Sequence, residues 1–282
     1  MTGPGGPSPR DRFITVYGRM PVAEVLADPG LAVDKVVVAD NARGAHLDRI
    51  LRLAERRGVP VQVATAARVK LLAGNGKHDQ GVVADVIAPR MITLEERLAD
   101  GPALRHGIVV LDGLTNPANV GMIVRTATAA GFDGVVLPHV GSPTVDPLVI
   151  KASAGVAFRA PILRCRTAVE AVEALRGKGH RIYGLAGGAA RSLYREDFPP
   201  DAVFVLGNET EGVSPAVGAH VDTWLSIPLA GGVESLNVSS AAAVVCFEAA
   251  RRQGVRAAGV RAAGVRAAGV RAAGVRAAGA PN

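Results

Sequence analysis

The sequence predicts an α/β fold, a mostly parallel sheet covered by helices on both faces. Three observations carry this. Short apolar runs such as VDKVVVAD (33–40), GIVVLDGL (107–114) and VFVL (203–206) read as strands. They alternate along the chain with helical segments, and that alternation is how parallel strands are connected. Several runs end in glycine-containing polar loops, the place where α/β sheets hold ligands.

The elements follow in chain order. Residues 1–12 are a Gly/Pro tail without an apolar run, so no secretory leader is read there. Phe13 to about Ala88 forms a small α/β unit. FITVYGRMPVAEVLAD passes from strand to helix, with Met20 to Leu26 apolar at helical spacing. VDKVVVAD is a strand. HLDRILRLAERRG is an amphipathic helix with Leu47, Ile50, Leu51 and Ala54 on one face, stopped at Gly58. VPVQVAT and GVVADVI are further strands. Residues 89–106, with Pro89, Glu95, Glu96, Arg97 and Gly101-Pro102, read as a linker.

A second unit spans residues 107–253. GIVVLDGL and GFDGVVLP are strands around the helical VGMIVRTATAAG. AVEALRGKG is a helix, HRIYGLAG, DAVFVLGNE and TWLSIPLA are strands, and residues 238–252 form the last helix. From residue 254 to 278 the pentapeptide GVRAA repeats five times. Five residues advance a helix by about 500°, so the valines share no face. A glycine in every repeat costs roughly 1 kcal/mol of helix. A basic, partly helical tail is expected, with RNA attraction as an open role.

Composition narrows the function. Apolar residues make up 49% and charged residues 20%, the balance of a globular chain. No stretch approaches the roughly 18 apolar residues of a membrane span. The repeat arginines (256, 261, 266, 271 and 276) account for all but +2 of the net charge of +7. Charge therefore permits a nucleic-acid partner without requiring one. Aromatics, at 4%, are too few for an extended base-stacking platform. Cys165 and Cys246, among apolar neighbours, read as buried free thiols of a reducing cytoplasm.

Three loops carry candidate chemistry. In LTNPANVGMIVRTA (114–127), Asn116-Pro117 ends a strand and Asn119 is placed to cap the next helix. Arg125 follows among apolar residues. It is either ion-paired on the helix surface or a fixed cation for phosphate or a developing oxyanion. In VFVLGNETEGVS (203–214), a fully apolar strand runs into Gly207, Asn208, Glu209 and Gly212, either a ligand loop or an ordinary turn with caps. In SIPLAGGVESLNVSS (226–240), a glycine loop precedes Ser235, Asn237, Ser239 and Ser240. Capping needs one such residue, and four imply that something polar is held there. Other grammars are missing. There is no G-x-x-x-x-G-K-[ST], no G-x-G-x-x-G after the first strand of either unit, and no H-E-x-x-H or C-x-x-C. A P-loop, a Rossmann cofactor site and a metal site are thereby disfavoured. His78 reads as a loop residue, and Glu211 and Glu234 as solvated.

Taken together and in this order, NPANVGMIVRTA, LGNETEGVS and IPLAGGVESLNVSSAAAVVCFEA resemble the three signature motifs of the SpoU (TrmH-type) RNA ribose 2′-O-methyltransferases of the SPOUT superfamily. Residues 13–88 more loosely resemble the L30e-like substrate domain of its 23S rRNA guanosine branch. The resemblance implies a parallel sheet with a C-terminal trefoil knot, an exception to unknotted topology. It also implies S-adenosylmethionine as cofactor, an RNA partner, 23S rRNA first, and a homodimer with its site completed near the subunit interface. Leu206, Gly207, Asn208, Gly212, Ile227, Leu229 and Leu236 fall on the cofactor-binding segments. Arg125 matches the essential arginine, with Asn119, Glu209, Ser235 and Asn237 on the other catalytic positions. Asn119 and Ser235 would orient Arg125, while Glu209 and Asn237 anchor loops and ribose. Neighbouring readings are a tRNA ribose methyltransferase, a resistance-type rRNA methyltransferase and a non-enzymatic L30e-like RNA-binding protein. The GVRAA tail has no counterpart in the family.

Overall fold

A computed structural model describes residues 11–74, 79–101 and 103–254. The GVRAA arginines, His78 and most of the N-terminal tail lie outside the described residues.

The first unit is a four-stranded sheet of order β1-β4-β2-β3, formed by β1 (Phe13–Tyr17), β2 (Val33–Ala39), β3 (Val61–Ala64) and β4 (Val82–Ile87). β4 pairs antiparallel with both β1 and β2, and only β2 and β3 run parallel. Helices α1 (Arg19–Ala27) and α2 (Ala45–Arg56) pack on each other. The predicted stripe of α2 buries Leu47, Ile50 and Ala54 together with Leu53, while Leu51 is exposed. Helix α3 (Ala66–Leu72), capped by the Thr65 side chain, was not expected from the sequence.

The expected linker contains structure of its own. Strand β5 (Ile92–Thr93) pairs with the large sheet, and α4 (Leu94–Asp100) starts on a capping box. Thr93 Oγ1 accepts from the Glu96 amide, and Glu96 accepts from the Thr93 amide.

The second unit holds the remaining strands: β6 (Ile108–Leu111), β7 (Gly134–Pro138), β8 (Ile162–Cys165), β9 (Ile182–Leu185), β10 (Arg191–Ser192), β11 (Val203–Leu206) and β12 (Thr223–Ser226). With β5 they form a sheet of order β10-β12-β9-β11-β6-β7-β8-β5, every pair parallel. β6, β7 and β11 are buried at every residue, as strands covered on both faces must be. The covering helices are α5 (Pro117–Ala129), α6 (Pro147–Ala152), α7 (Ala168–Gly177), α8 (Pro215–Gly218) and α9 (Val238–Arg252). Helix α5 packs between α6 and α9. Two sequence expectations shift here. TWLSIPLA stops being a strand at Ser226, and α5 takes its N-cap from Asn116, with Pro117 at N1.

Helix α9 is anchored at both ends. Its apolar face buries Ala242, Val245, Cys246 and Ala249. At its C-terminus Glu248 accepts hydrogen bonds from Arg251 and Arg252, and Arg252 also donates to the carbonyls of Tyr194 and Glu196 at 2.6 Å each. The two guanidiniums hold the Glu248 carboxyl down at about 2. A carboxylate whose folded pKa is depressed contributes stability above its unfolded value, and loses it as pH falls through the folded one. Glu248→Gln should therefore cost about 1–2 kcal/mol at neutral pH. Thermal melts of both proteins should converge between pH 4.5 and 2, and a gap independent of pH would refute the assignment.

The cysteines are free, Cys246 buried and Cys165 partly so. Burial pushes both thiols up to about 12, so neither supplies a thiolate. Among the described residues no helix is long and apolar enough to cross a membrane, and no His/Cys/Asp/Glu cluster could hold a metal.

Candidate active site

Three loops meet at the carboxyl ends of β6, β11 and β12. The loop after β11 closes on itself: Asn208 and Gly212 exchange backbone hydrogen bonds at 2.9 Å each. The Asn208 side chain accepts from the Thr210 amide at 2.8 Å and donates to the Gly113 carbonyl at 2.9 Å, tying this loop to the one after β6. Asp112, buried at the end of β6, accepts from the Ser214 amide at 2.7 Å and fixes the far side of the turn. Gly212 sits at φ +72°, where a side chain is strained. Gly207 is required for space, because a Cβ there would lie 2.1 Å from the Gly212 carbonyl carbon.

Asn119 joins the three loops. It lies in the first turn of α5, buried, and its Nδ2 donates to Glu209 Oε1 in the β11 loop. Its Oδ1 accepts from Asn237 Nδ2 at 3.2 Å. Asn237 is the N-cap of α9, its Oδ1 accepting from the Ser239 amide at 2.9 Å and the Ser239 hydroxyl at 2.6 Å. One amide thus bridges an acceptor on one loop and a donor on another, which a carboxylate cannot do. Asn119→Asp would set two carboxylates against each other. It should cost about 1–3 kcal/mol, read by urea unfolding, with Asn119→Ala milder on the Glu209 side. A neutral Asn119→Asp would remove Asn119 from this role.

Beside the network lies a cavity of about 450 Å³, within the range of small-molecule sites. Leu206, Gly207, Asn208, Gly212, Ile227, Leu229 and Leu236 all line it. Trp224 and residues 185–187 line it as well, and Glu209, Glu211 and Glu234 place three carboxylates around it. The cavity is apolar at the leucines, rich in backbone amides and carbonyls at its loops, and negative at its edge.

The structure brings the expected residues together unevenly. Glu209 and Ser235 line the cavity, whereas Asn119 and Asn237 stand behind it as the loop tie. Arg125 is exposed, outside the cavity wall, with no side-chain partner among the described residues. The expected orientation of Arg125 by Asn119 and Ser235 is not formed: Asn119 is committed to Glu209 and Asn237, and Ser235 is exposed. Glu211 and Glu234, read as solvated, are exposed but belong to the cavity edge. Sequence reasoning missed Asp112, Trp224 and the 185–187 wall. Asp112 had a signal, a lone acid directly after a buried strand, at the sheet edge where ligands bind. Trp224 had none.

With this geometry in hand, the class is an α/β enzyme fold with a ligand cavity at the strand carboxyl ends. The comparisons give the family. Residues 106–247 match the SpoU rRNA Methylase family and residues 15–91 match the RNA 2'-O ribose methyltransferase substrate binding domain. The chain is 36% identical over 224 residues to the 23S rRNA (guanosine-2'-O-)-methyltransferase RlmB of Ralstonia nicotianae, covering 79% of this chain and 90% of that protein. It is 34% identical over 240 residues to RlmB of Xanthomonas axonopodis pv. citri, covering 84% and 96%. Among solved structures, the SpoU methyltransferase AviRb of Streptomyces viridochromogenes, in complex with the cofactor AdoMet, aligns with a TM-score of 0.61 at 25% identity, over 87% of this chain and 92% of that one. The chain belongs to the SpoU rRNA methylase family.

Proposed function

We propose that this protein methylates the ribose 2′-hydroxyl of a guanosine in 23S rRNA, using S-adenosylmethionine. The observation that carries the reading is the cavity lined by the second and third motif loops, with the first tied to both behind it through Asn119, in a chain of this family. The walls suit the cofactor: leucines for an adenine ring, loop backbone for its polar edge, and surrounding carboxylates for a cationic molecule. The bound cofactor supplies an electrophilic methyl on a sulfonium, already a good leaving group.

The chain's own task is to position the ribose and manage its proton. The cofactor would supply the methyl and leave as the neutral thioether, while the ribose hydroxyl proton goes to solvent or a phosphate. Arg125 holds the adjoining phosphate and offsets the negative charge that develops on oxygen; its guanidinium is too weak an acid to serve as the base itself. Glu209 and Ser235 face the ribose, and Asn119 and Asn237 hold the loops in register.

Arg125 sits outside the cavity of its own chain, which favours a homodimer in which it completes the partner's site. Met122, one turn before it on α5, is an exposed apolar residue that a second copy would cover. The same reading assigns residues 13–88 as an L30e-like RNA-binding domain, 107–253 as the methyltransferase domain with its C-terminal segment threaded as a trefoil knot, and a cytoplasmic location.

The direct test is transfer of labelled methyl from S-adenosylmethionine to unmodified RNA separated into 23S, 16S and tRNA. Label in 23S rRNA at an alkali-resistant linkage is expected. Label in tRNA alone would overturn the substrate, and alkali-labile label would overturn ribose as the acceptor.

A further inference from the structure

A second cavity, of about 370 Å³, lies in the seam between the small sheet and the large one. One wall comes from β1 with Phe13, Thr15 and Tyr17, and the other from the loop after β7 and from β8, with Val145, Asp146 and Arg164. Arg164 is 4% exposed. Its Nη2 contacts His139 Nδ1 at 2.8 Å, and His139 Nε2 contacts Asp11 Oδ1 at 3.0 Å. Both contacts are satisfied by the neutral Nε2–H tautomer, accepting from the arginine and donating to the aspartate. That leaves Arg164 Nη1 buried with no hydrogen-bond partner among the described residues. Arg164 lines the cavity, and its orphaned nitrogen is a cost of about 1–3 kcal/mol, which calls for an occupant.

The lining selects the chemistry. A phosphate would leave Phe13, Met91 and Val145 unused and would meet the charge of Asp146. A flat, neutral ligand with acceptors on one edge and donors on another uses the whole wall. Guanine is such a ligand: O6 and N7 accept from an arginine, and N1–H and the 2-amino group donate to a carboxylate. Unpaired RNA bases are held this way, in pockets with aromatic walls.

The seam is mechanically tied to the first cavity. Gly141, in the loop after β7, packs on Gly113, whose carbonyl accepts from Asn208. β7 and β8 stand two and three strand spacings from β11, roughly 10–15 Å. That is farther than a base lies from its own ribose. We propose that the seam cavity binds an unpaired guanine flanking the methylated nucleotide, read by Arg164 on one edge and Asp146 on the other, and so sets which ribose reaches the active site. This rests on the RNA-methyltransferase reading.

The test measures Kd of the full chain for short fragments tiling unmodified 23S rRNA, then replaces each guanine of the tightest fragment with 7-deazaguanine or inosine. At one guanine, other than the methylated one, 7-deazaguanine should weaken binding about 5- to 100-fold. Arg164→Lys should erase that discrimination. Inosine at the same position should weaken wild type but not Asp146→Asn, whose Oδ1 still accepts from the Leu148 and Val149 amides as the α6 N-cap and so controls for folding. Uniform Kd across the substituted RNAs, with methyl transfer intact, overturns the seam site and leaves the catalytic reading. Position-specific discrimination without methyl transfer overturns the catalytic reading and keeps the site. No binding to any fragment overturns both.

Discussion

Arg125→Ala is expected to lower kcat/KM for methyl transfer by at least about 10²–10³-fold while S-adenosylmethionine binds with near wild-type affinity. The separation follows from position. Arg125 touches no wall of the cavity assigned to the cofactor, and among the described residues it has no side-chain partner whose loss would unfold α5. Its exposed guanidinium is free to take an RNA phosphate, so the loss belongs to the step that develops charge on the ribose oxygen. Calorimetry for cofactor affinity and single-turnover methyl transfer report the two effects independently. An active Arg125→Ala protein would sink the assignment. A variant that loses cofactor binding equally would mean that Arg125 belongs to the cavity after all.

The same residue tests the dimer. If Arg125 acts across the interface, an equal mixture of Arg125→Ala with a cofactor-binding-deficient variant should recover roughly a quarter of wild-type activity after subunit exchange. Each mixed dimer then has one site with an intact cavity and an intact arginine. If Arg125 acts within its own chain, the mixture stays inactive.

The buried strands of the large sheet were legible because their pattern is set by burial on both faces. Ile108–Leu111, Gly134–Pro138 and Val203–Leu206 have no polar residue to place. Where the reading slipped, a local signal was outranked by a louder one. Asn119 looked like the α5 cap because it precedes an apolar helical run. Pro117, whose fixed φ suits the first helical position, makes Asn116 the cap and frees Asn119 to join the loops. The Thr93–Glu96 capping box was present in the supposed linker but was masked by the flanking Pro and Gly. Ile227 and Leu229 extended the apparent strand because they are apolar, yet both line the cavity, Ile227 from the edge of the core and Leu229 half-exposed. A sequence cannot distinguish burial against protein from burial against a ligand. The seam cavity was illegible for a related reason. It joins residues from β1 and β8 that are far apart in the chain, and no spacing rule connects them.

Gly207→Ala is expected to abolish cofactor binding while the sheet stays folded. Its Cβ would sit 2.1 Å from the Gly212 carbonyl carbon and 2.2 Å from the Val213 nitrogen, both backbone atoms that cannot swing aside as a side-chain tip could. The 208–212 turn must therefore move outward. That breaks the paired Asn208–Gly212 hydrogen bonds and displaces Glu209 from Asn119. The strain alone costs about 1–3 kcal/mol, within the tolerance of a chain of this size, whereas the cavity loses the wall formed by residues 207–213. Gly177→Ala is the matched control. The position closes α7, and a Cβ there meets nothing within 4 Å. It should be neutral or stabilise by up to about 1 kcal/mol with full cofactor affinity. Thermal melts with and without S-adenosylmethionine compare both variants. The cofactor should raise Tm for wild type and Gly177→Ala but not for Gly207→Ala. A ligand-induced shift preserved in Gly207→Ala would place the cofactor elsewhere, because no occupant of this cavity can be indifferent to the loop that forms its wall.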